Sequence, residues 1–190
     1  MYKAREIAEY ILTLSNSDIG ELTSNLKLQK LLYYVQGVHL AAFDTPLYDE
    51  DITAWNFGPV VESVHQDFKI FNSGPILIDY DKEKDVLTKD TKNFIDNTYG
   101  YYGQYSALKL MQMTHEETPW KSTKQSTIIS KEKIKSFFQL QDIVQEIAFP
   151  SKQQRLKNAA ILLLADYENN KELTDLTLID SDDFYEYETK

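Results

Sequence analysis

The chain contains no cysteine, and that single absence removes disulfide bridges, thiolate nucleophiles and the common zinc-ribbon frameworks together. Glycine is scarce, at six in 190 residues, and forms no Gly-x-Gly-x-x-Gly fingerprint, phosphate-cradling loop or Gly-x-Ser-x-Gly elbow. The three histidines, His39, His65 and His115, supply no His-Glu-x-x-His pair from which a zinc site could start. No run approaches the ~20 apolar residues that span a bilayer. The opening MYKAREIAEYILTL carries charges where a signal peptide would keep an apolar core. Positive charge is short as well: a net charge of −10 and a pI near 4.8 argue against a surface that tracks nucleic-acid phosphates. These absences together lead to the expectation of a cytoplasmic protein with no cofactor, no metal, no membrane partner and no direct nucleic-acid partner.

What is present is enough apolar material for a core. At 42% hydrophobic and 13% aromatic residues, a chain of this length buries one compact domain. Its charge is uneven. Residues 1–150 hold 15 Lys and Arg against 21 Asp and Glu, residues 151–170 hold 3 against 2, and residues 171–190 hold 2 against 7. Half of the net charge thus lies in the last twenty residues, which marks the C-terminus as a separate unit. The boundary is placed at Pro150-Ser151, giving a domain over 1–150 and a C-terminal helix plus acidic tail over 151–190.

The periodicity along the chain is mainly helical. Ala4, Ile7, Ala8, Ile11 and Leu12 share one face of a first helix over Tyr2 to Leu14, stopped by Ser15-Asn16-Ser17-Asp18. Leu28, Leu31, Leu32, Val35, Val38 and Ala42 do the same in a second helix, with Thr23, Ser24 or Asn25 available as caps. Its opposite face aligns Lys27, Lys30, Tyr34 and Gly37, a stripe that reads either as a solvated face or as a docking ledge. DITAWNFGPVV reads as a short extended piece and then a turn, because Pro59 disfavours the helical region at Gly58 and is itself placed to open a third helix, continued by Val60, Val61, Val64, Phe68 and Phe71 to Asn72-Ser73-Gly74-Pro75. PILIDYD and DVLT read as two small strands, Asp90 to Tyr99 and Tyr105 to Met113 as helices, and Ser130 as the cap of another. Asp142 to Phe149 and Lys152 to Tyr167 complete the pattern. The expected fold is mainly α: a compact helical domain with a small β element, then an amphipathic helix carrying Leu156, Ala159, Ala160, Leu163 and Leu164.

Residues that could carry chemistry have plainer readings. Glu116 and Glu117 point different ways on a helix, so they do not form a glycosidase-like pair. The pairs Tyr33-Tyr34 and Tyr101-Tyr102 suit core filling, as do Trp55 and Trp120, and Lys131, Lys133 and Lys135 suit a solvated helix face. His115 reads as a hydrogen-bonding group at a helix end.

The segments Lys27-Leu28-Gln29-Lys30-Leu31-Leu32-Tyr33, Gln36-Gly37, Ala54-Trp55, Gly58-Pro59-Val60, Tyr99-Gly100, Thr114-His115 and Pro119-Trp120 carry a resemblance over about residues 22–138. In them the chain resembles the Panacea domain family of SocA-like antitoxins, which occurs in phage and mobile-element proteins. Val38 departs from it, where the family often places an aromatic. The resemblance implies a non-enzymatic protein that neutralises a cognate protein toxin by binding it. It further implies a phage-associated regulator or an adaptor to a Clp-type protease as the alternative.

The resemblance ends before KELTDLTLIDSDDFYEYETK. So acidic a segment buries too little apolar area alone to offset an ordering entropy of roughly 1–2 kcal/mol per residue. Against a partner, Leu176, Leu178, Ile179, Phe184 and Tyr185 could fill a groove while Asp182 and Asp183 face Lys or Arg. The expected partner-binding residues are therefore these seven, together with Lys27, Lys30 and Tyr34 on the second helix.

Overall fold

Ala4, Ile7, Ala8, Ile11 and Leu12 do form one buried stripe, on helix α1 (Ala4–Thr13). The computed structural model describes residues 1–15, 22–78, 80, 85–151 and 153. The expected C-terminal helix and the acidic tail, with Leu176, Leu178, Ile179, Asp182, Asp183, Phe184 and Tyr185, lie outside the described residues.

Helix α2 (Asn25–Phe43) is the centre of the molecule. It touches α1, α4 (Lys89–Tyr102), α5 (Ala107–Glu116), α7 (Lys131–Phe138) and α8 (Ile143–Ala148), as well as strand β2 (Gly58–Val60). The start signals read from the sequence operate as expected. The side chain of Ser24 accepts from the amide of Lys27 at 3.4 Å, and that of Ser130 from the amide of Lys133 at 3.3 Å. Thr88 caps α4 and Ser106 caps α5 in the same way. Each such cap is worth about 1 kcal/mol. Helix α2 ends on Asp44 in the left-handed conformation, at φ 60°.

The β element is present, and it begins on the extended piece expected in DITAWNFGPVV rather than at the two strands expected further along. PILIDYD and DVLT contribute no strand among their described residues; the sheet is β2-β1-β3, with β1 at Ile52–Trp55 and β3 at Ile128–Ile129. β1 pairs antiparallel with β2 through a tight turn at Asn56-Phe57, setting Trp55 opposite Gly58 and Thr53 opposite Val60. Pro59 therefore sits in an edge strand, where its missing N–H costs nothing, and helix α3 begins only at Glu62, running to Asp67. Extended pairing of Ala54-Trp55 with Gly58-Pro59 won over the helix-opening tendency of proline. A 3-10 turn at Lys69–Phe71 and the four-residue α6 (Thr118–Lys121) complete the described elements. The result is a mainly helical fold with a small three-stranded sheet.

Candidate functional site

The stripe Lys27, Lys30, Tyr34 is neither a solvated face nor an exposed ledge. Lys27 is 8% exposed, Lys30 0% and Tyr34 1%. Because α2 is surrounded by helices on several sides and by β2 on another, its polar face is as deeply buried as its apolar one. Buried polar groups must find partners, and those partners define the site.

Each polar side chain of α2 ends on a different part of the fold. Lys27 Nζ donates to the carbonyl of Gly103, just after α4, at 2.5 Å. Lys30 Nζ donates to the carbonyl of Pro59 in β2 at 2.9 Å, and Gln29 Oε1 accepts from the amide of Val61 at 2.9 Å. These two adjacent residues thus satisfy backbone groups along the free edge of β2. Gln29 Nε2 donates to Asn25 Oδ1 at 3.0 Å, and Asn25 Nδ2 donates to the carbonyl of His65 in α3 at 3.1 Å. One helical repeat after Gln29, Gln36 accepts from the amide of Leu47 at 2.8 Å and donates to the carbonyl of Tyr48 at 2.9 Å. Tyr33 and Tyr34 donate to the two carboxyl oxygens of Glu117, at 2.7 and 2.8 Å. Glu117 is the hinge residue between α5 and α6, so α2 holds that junction as well.

Two close approaches need glycine. A Cβ on Gly37 would lie 2.2 Å from the ring of Phe138, so its absence lets α7 pack directly on α2. Gly58 has φ +99°, and a Cβ there would meet Lys30 Cε and Thr114 Oγ1, both at 2.8 Å. Trp120 closes the seam from outside. Its indole N–H donates to the carbonyl of Trp55 at 2.9 Å, and its ring stacks on His115 at 4.0 Å. Both tryptophans are half-buried: Trp120 packs against the core as expected, whereas Trp55 donates its indole N–H to Glu62 at 3.2 Å at the surface.

The electrostatics follow from burial. Desolvation pushes the ammonium of Lys30 down to about 7. Burial lifts the carboxyl of Glu117 to about 7, with the hydrogen bonds from Tyr33 and Tyr34 acting against the rise. The phenols of Tyr33 and Tyr34 are pushed far up, first by burial and then by the facing Glu117. His65 and His115 are lowered, first by desolvation and then by the nearby cation of Lys30. A lysine and a carboxyl tuned near neutrality can mark acid–base catalysis. Here the Lys30 ammonium is committed to a backbone carbonyl and both Glu117 oxygens accept from tyrosines, so the arrangement holds elements together. Among the described residues, no three of His, Cys, Asp and Glu cluster as a metal site. Nor is any helix among them long and apolar enough to cross a membrane.

Sequence reasoning missed Gln29, Gln36 and Glu117 as structural anchors. A signal existed: Gln29 and Gln36 are seven apart, hence on one face of an otherwise apolar helix, and Glu117 lies between Thr114-His115 and Pro119-Trp120. The divergence of the two adjacent glutamates is as expected, with Glu116 exposed and Glu117 turned inward. Lys131, Lys133 and Lys135 lie at the surface of α7, where Lys131 pairs with Asp51 and Lys135 with Asp44.

Comparison with known proteins matches this same seam. Residues 28–121 fit the family described as "Antitoxin SocA-like, Panacea domain". The chain is also 32% identical over 109 residues to the Antitoxin SocA of Caulobacter vibrioides (strain NA1000 / CB15N), covering 51% of this chain. It spans 57% of the length of that curated relative. No solved structure matches the chain.

Proposed function

Starting from a chain that carries a SocA-like Panacea domain over residues 28–121, we propose that it is an antitoxin neutralising a cognate protein toxin by direct binding, with residues 171–190 contributing to the contact. The observation that carries this reading is the family match itself, which takes in the α2 core and its main anchors, from Gln29 and Lys30 through Pro59 and Gly103 to Glu117. The family points to a non-enzymatic regulator, and the commitments of Lys30 and Glu117 agree with that role. The buried face of Lys27, Lys30 and Tyr34 supports the body of the protein and is not offered as a docking surface.

The tail supplies the chemistry for a contact. Leu176, Leu178, Ile179, Phe184 and Tyr185 are apolar anchors, each worth ~1.5–3 kcal/mol when fully buried, and Asp182 and Asp183 would face a basic rim. Expression of the adjacent open reading frame alone should arrest growth, and co-expression of this chain should restore it. A chain lacking residues 171–190 should bind the toxin more weakly and rescue poorly. Rescue and affinity unchanged by that deletion would remove the tail from the account, and a harmless neighbouring product would remove the toxin.

A further inference from the structure

The chain has two tryptophans, and each lies against a histidine. The ring of His65 on α3 meets Trp55 edge-on at 4.9 Å, and that of His115 on α5 stacks on Trp120 at 4.0 Å, 13° from parallel. Both pairs grip the same piece of chain, the turn end of the β1–β2 hairpin. Trp55 closes β1, the indole N–H of Trp120 donates to the Trp55 carbonyl at 2.9 Å, and the His115 ring hydrogen-bonds to the backbone of Asn56 in the turn. Lys30 reaches the same place from α2 through its bond to Pro59. Basic side chains from three different helices thus converge on Trp55 to Pro59.

The surroundings hold both histidines neutral. Nδ1 of His65 and Nε2 of His115 are buried, and neither has a hydrogen-bond partner among the described residues. A neutral imidazole tolerates this, because one of its nitrogens is a bare acceptor, whereas an imidazolium carries N–H on both. Protonation in place would bury a charged donor that faces no acceptor, which costs far more than a bare lone pair. The face of Trp120 attracts a cation on His115, but it does not replace the acceptor that the new N–H needs. Nor do the charges nearby relieve the strain. Lys30 sets a like charge beside both rings, and Lys69 a second beside His65. Glu62 and Glu116 favour the charged rings less than Lys30 opposes them. The first accepts from the Trp55 indole and the second pairs with Lys121 at the surface. Asp67 pairs with Arg5 of α1, Glu117 accepts from Tyr33 and Tyr34, and Asp51 beside β1 pairs with Lys131 of α7.

We propose that the turn end of the β1–β2 hairpin, Trp55 to Pro59, is a proton-sensitive joint. It stays seated on α3, α5 and α6 while His65 and His115 are neutral, and it lifts from them locally when both take up protons, leaving the helices packed on α2 intact. The direction follows from linkage. Released rings recover the ordinary histidine value of 6.5, above their value when seated, so the seated form keeps its full stability above 6.5 and loses it as pH falls below. Lys30, which titrates at about 7 when seated, is charged by then and adds to the repulsion. Below 6.5 opening gains up to about tenfold per pH unit for each histidine, hence up to about a hundredfold for the pair between pH 7.5 and pH 5.5. The antitoxin reading is not needed for this, and its test requires no toxin.

Hydrogen exchange of the full-length chain, followed by NMR at pH 7.5 and pH 5.5 and corrected for the intrinsic pH dependence of exchange, tests the joint. The indole N–H of Trp120 and the amide of Ala54, which donate to Trp55 and Thr127, should lose at least about tenfold in protection at the lower pH. The amide of Val35, in the middle of α2, should keep its own. His65→Gln together with His115→Gln removes both titrations and should abolish the loss, whereas His39→Gln should leave it in place. Titration of the histidine ring resonances in the unaltered chain needs no variant to fold: His65 and His115 should both titrate below 6.5. Unchanged protection at Trp120 and Ala54, or an equal fall at Val35, overturns the proposal. So does a loss that survives both glutamines, or rings that titrate at or above 6.5.

Discussion

Replacing Lys30 by methionine should change the pH dependence of stability in a direction that the structure fixes. The ammonium is fully buried, donates to Pro59, and titrates near 7 when folded against a reference value of 10.5. Above 10.5 both folded and unfolded chains hold Lys30 neutral. As pH falls toward 7 the unfolded chain takes up a proton that the folded one refuses, so folding stability declines, and the decline levels off below 7 where both are charged. Each pH unit inside that window is worth about 1.4 kcal/mol. From pH 9 to pH 6 the wild-type chain should therefore lose ~2–3 kcal/mol through this residue alone. Lys30→Met keeps a stem of similar length and has nothing to titrate, though it leaves the Pro59 carbonyl without its donor, a cost of ~1–3 kcal/mol. Urea unfolding at a series of pH values, followed by tryptophan fluorescence and far-UV circular dichroism, gives the difference between the two chains. That difference should move by ~2–3 kcal/mol in favour of methionine between pH 9 and pH 6. Taking the difference cancels the titrating groups that do not sense Lys30, Glu117 included, and leaves only the smaller response of His65 and His115. Parallel curves would show that Lys30 is charged and solvated in the folded protein, and the account of the seam would fail.

Glu117 should produce the opposite slope. Its carboxyl rises from 4.5 to about 7 on folding, so the stability it confers is complete below 4.5 and is lost as pH climbs to 7; Glu117→Gln should flatten that interval in the same unfolding measurements. Gly37→Leu should destabilise by ~1–3 kcal/mol or more by pushing into Phe138, and the loss should shrink when Phe138→Ala makes room, a coupling read from a double-mutant cycle. Reversing charge with Lys27→Glu and Lys30→Glu should collapse the far-UV spectrum, because both sites are interior; a folded double variant would return the stripe to the surface.

Much of the helical framework was legible because it depends on local rules. The apolar spacing of Ala4 to Leu12, the caps at Ser24 and Ser130, and the short α8 near Asp142 to Phe149 follow from periodicity and capping alone. The errors came where long-range pairing decides. Ile128-Ile129 became a strand only by meeting Ile52-Thr53, more than seventy residues earlier, and Pro59 was drawn into the sheet by the same partner strand. The polar face of α2 was misread for a related reason. Amphipathic reasoning assigns lysine to solvent, whereas this helix is so enclosed that its lysines serve as tethers to backbone carbonyls. The spacing of Gln29 and Gln36 and the place of Glu117 between Thr114-His115 and Pro119-Trp120 mark them in the sequence, but their partners, Val61, Leu47, Tyr48, Tyr33 and Tyr34, are set by the fold.

Direct capture of a toxin is read by titrating this purified chain with the purified product of the adjacent open reading frame in a calorimeter. A saturable complex is expected, weakened in the chain lacking residues 171–190 and abolishing toxicity at the same stoichiometry at which it forms. No heat and no complex with a product that is toxic in cells, while this chain still restores growth, would contradict neutralisation by binding.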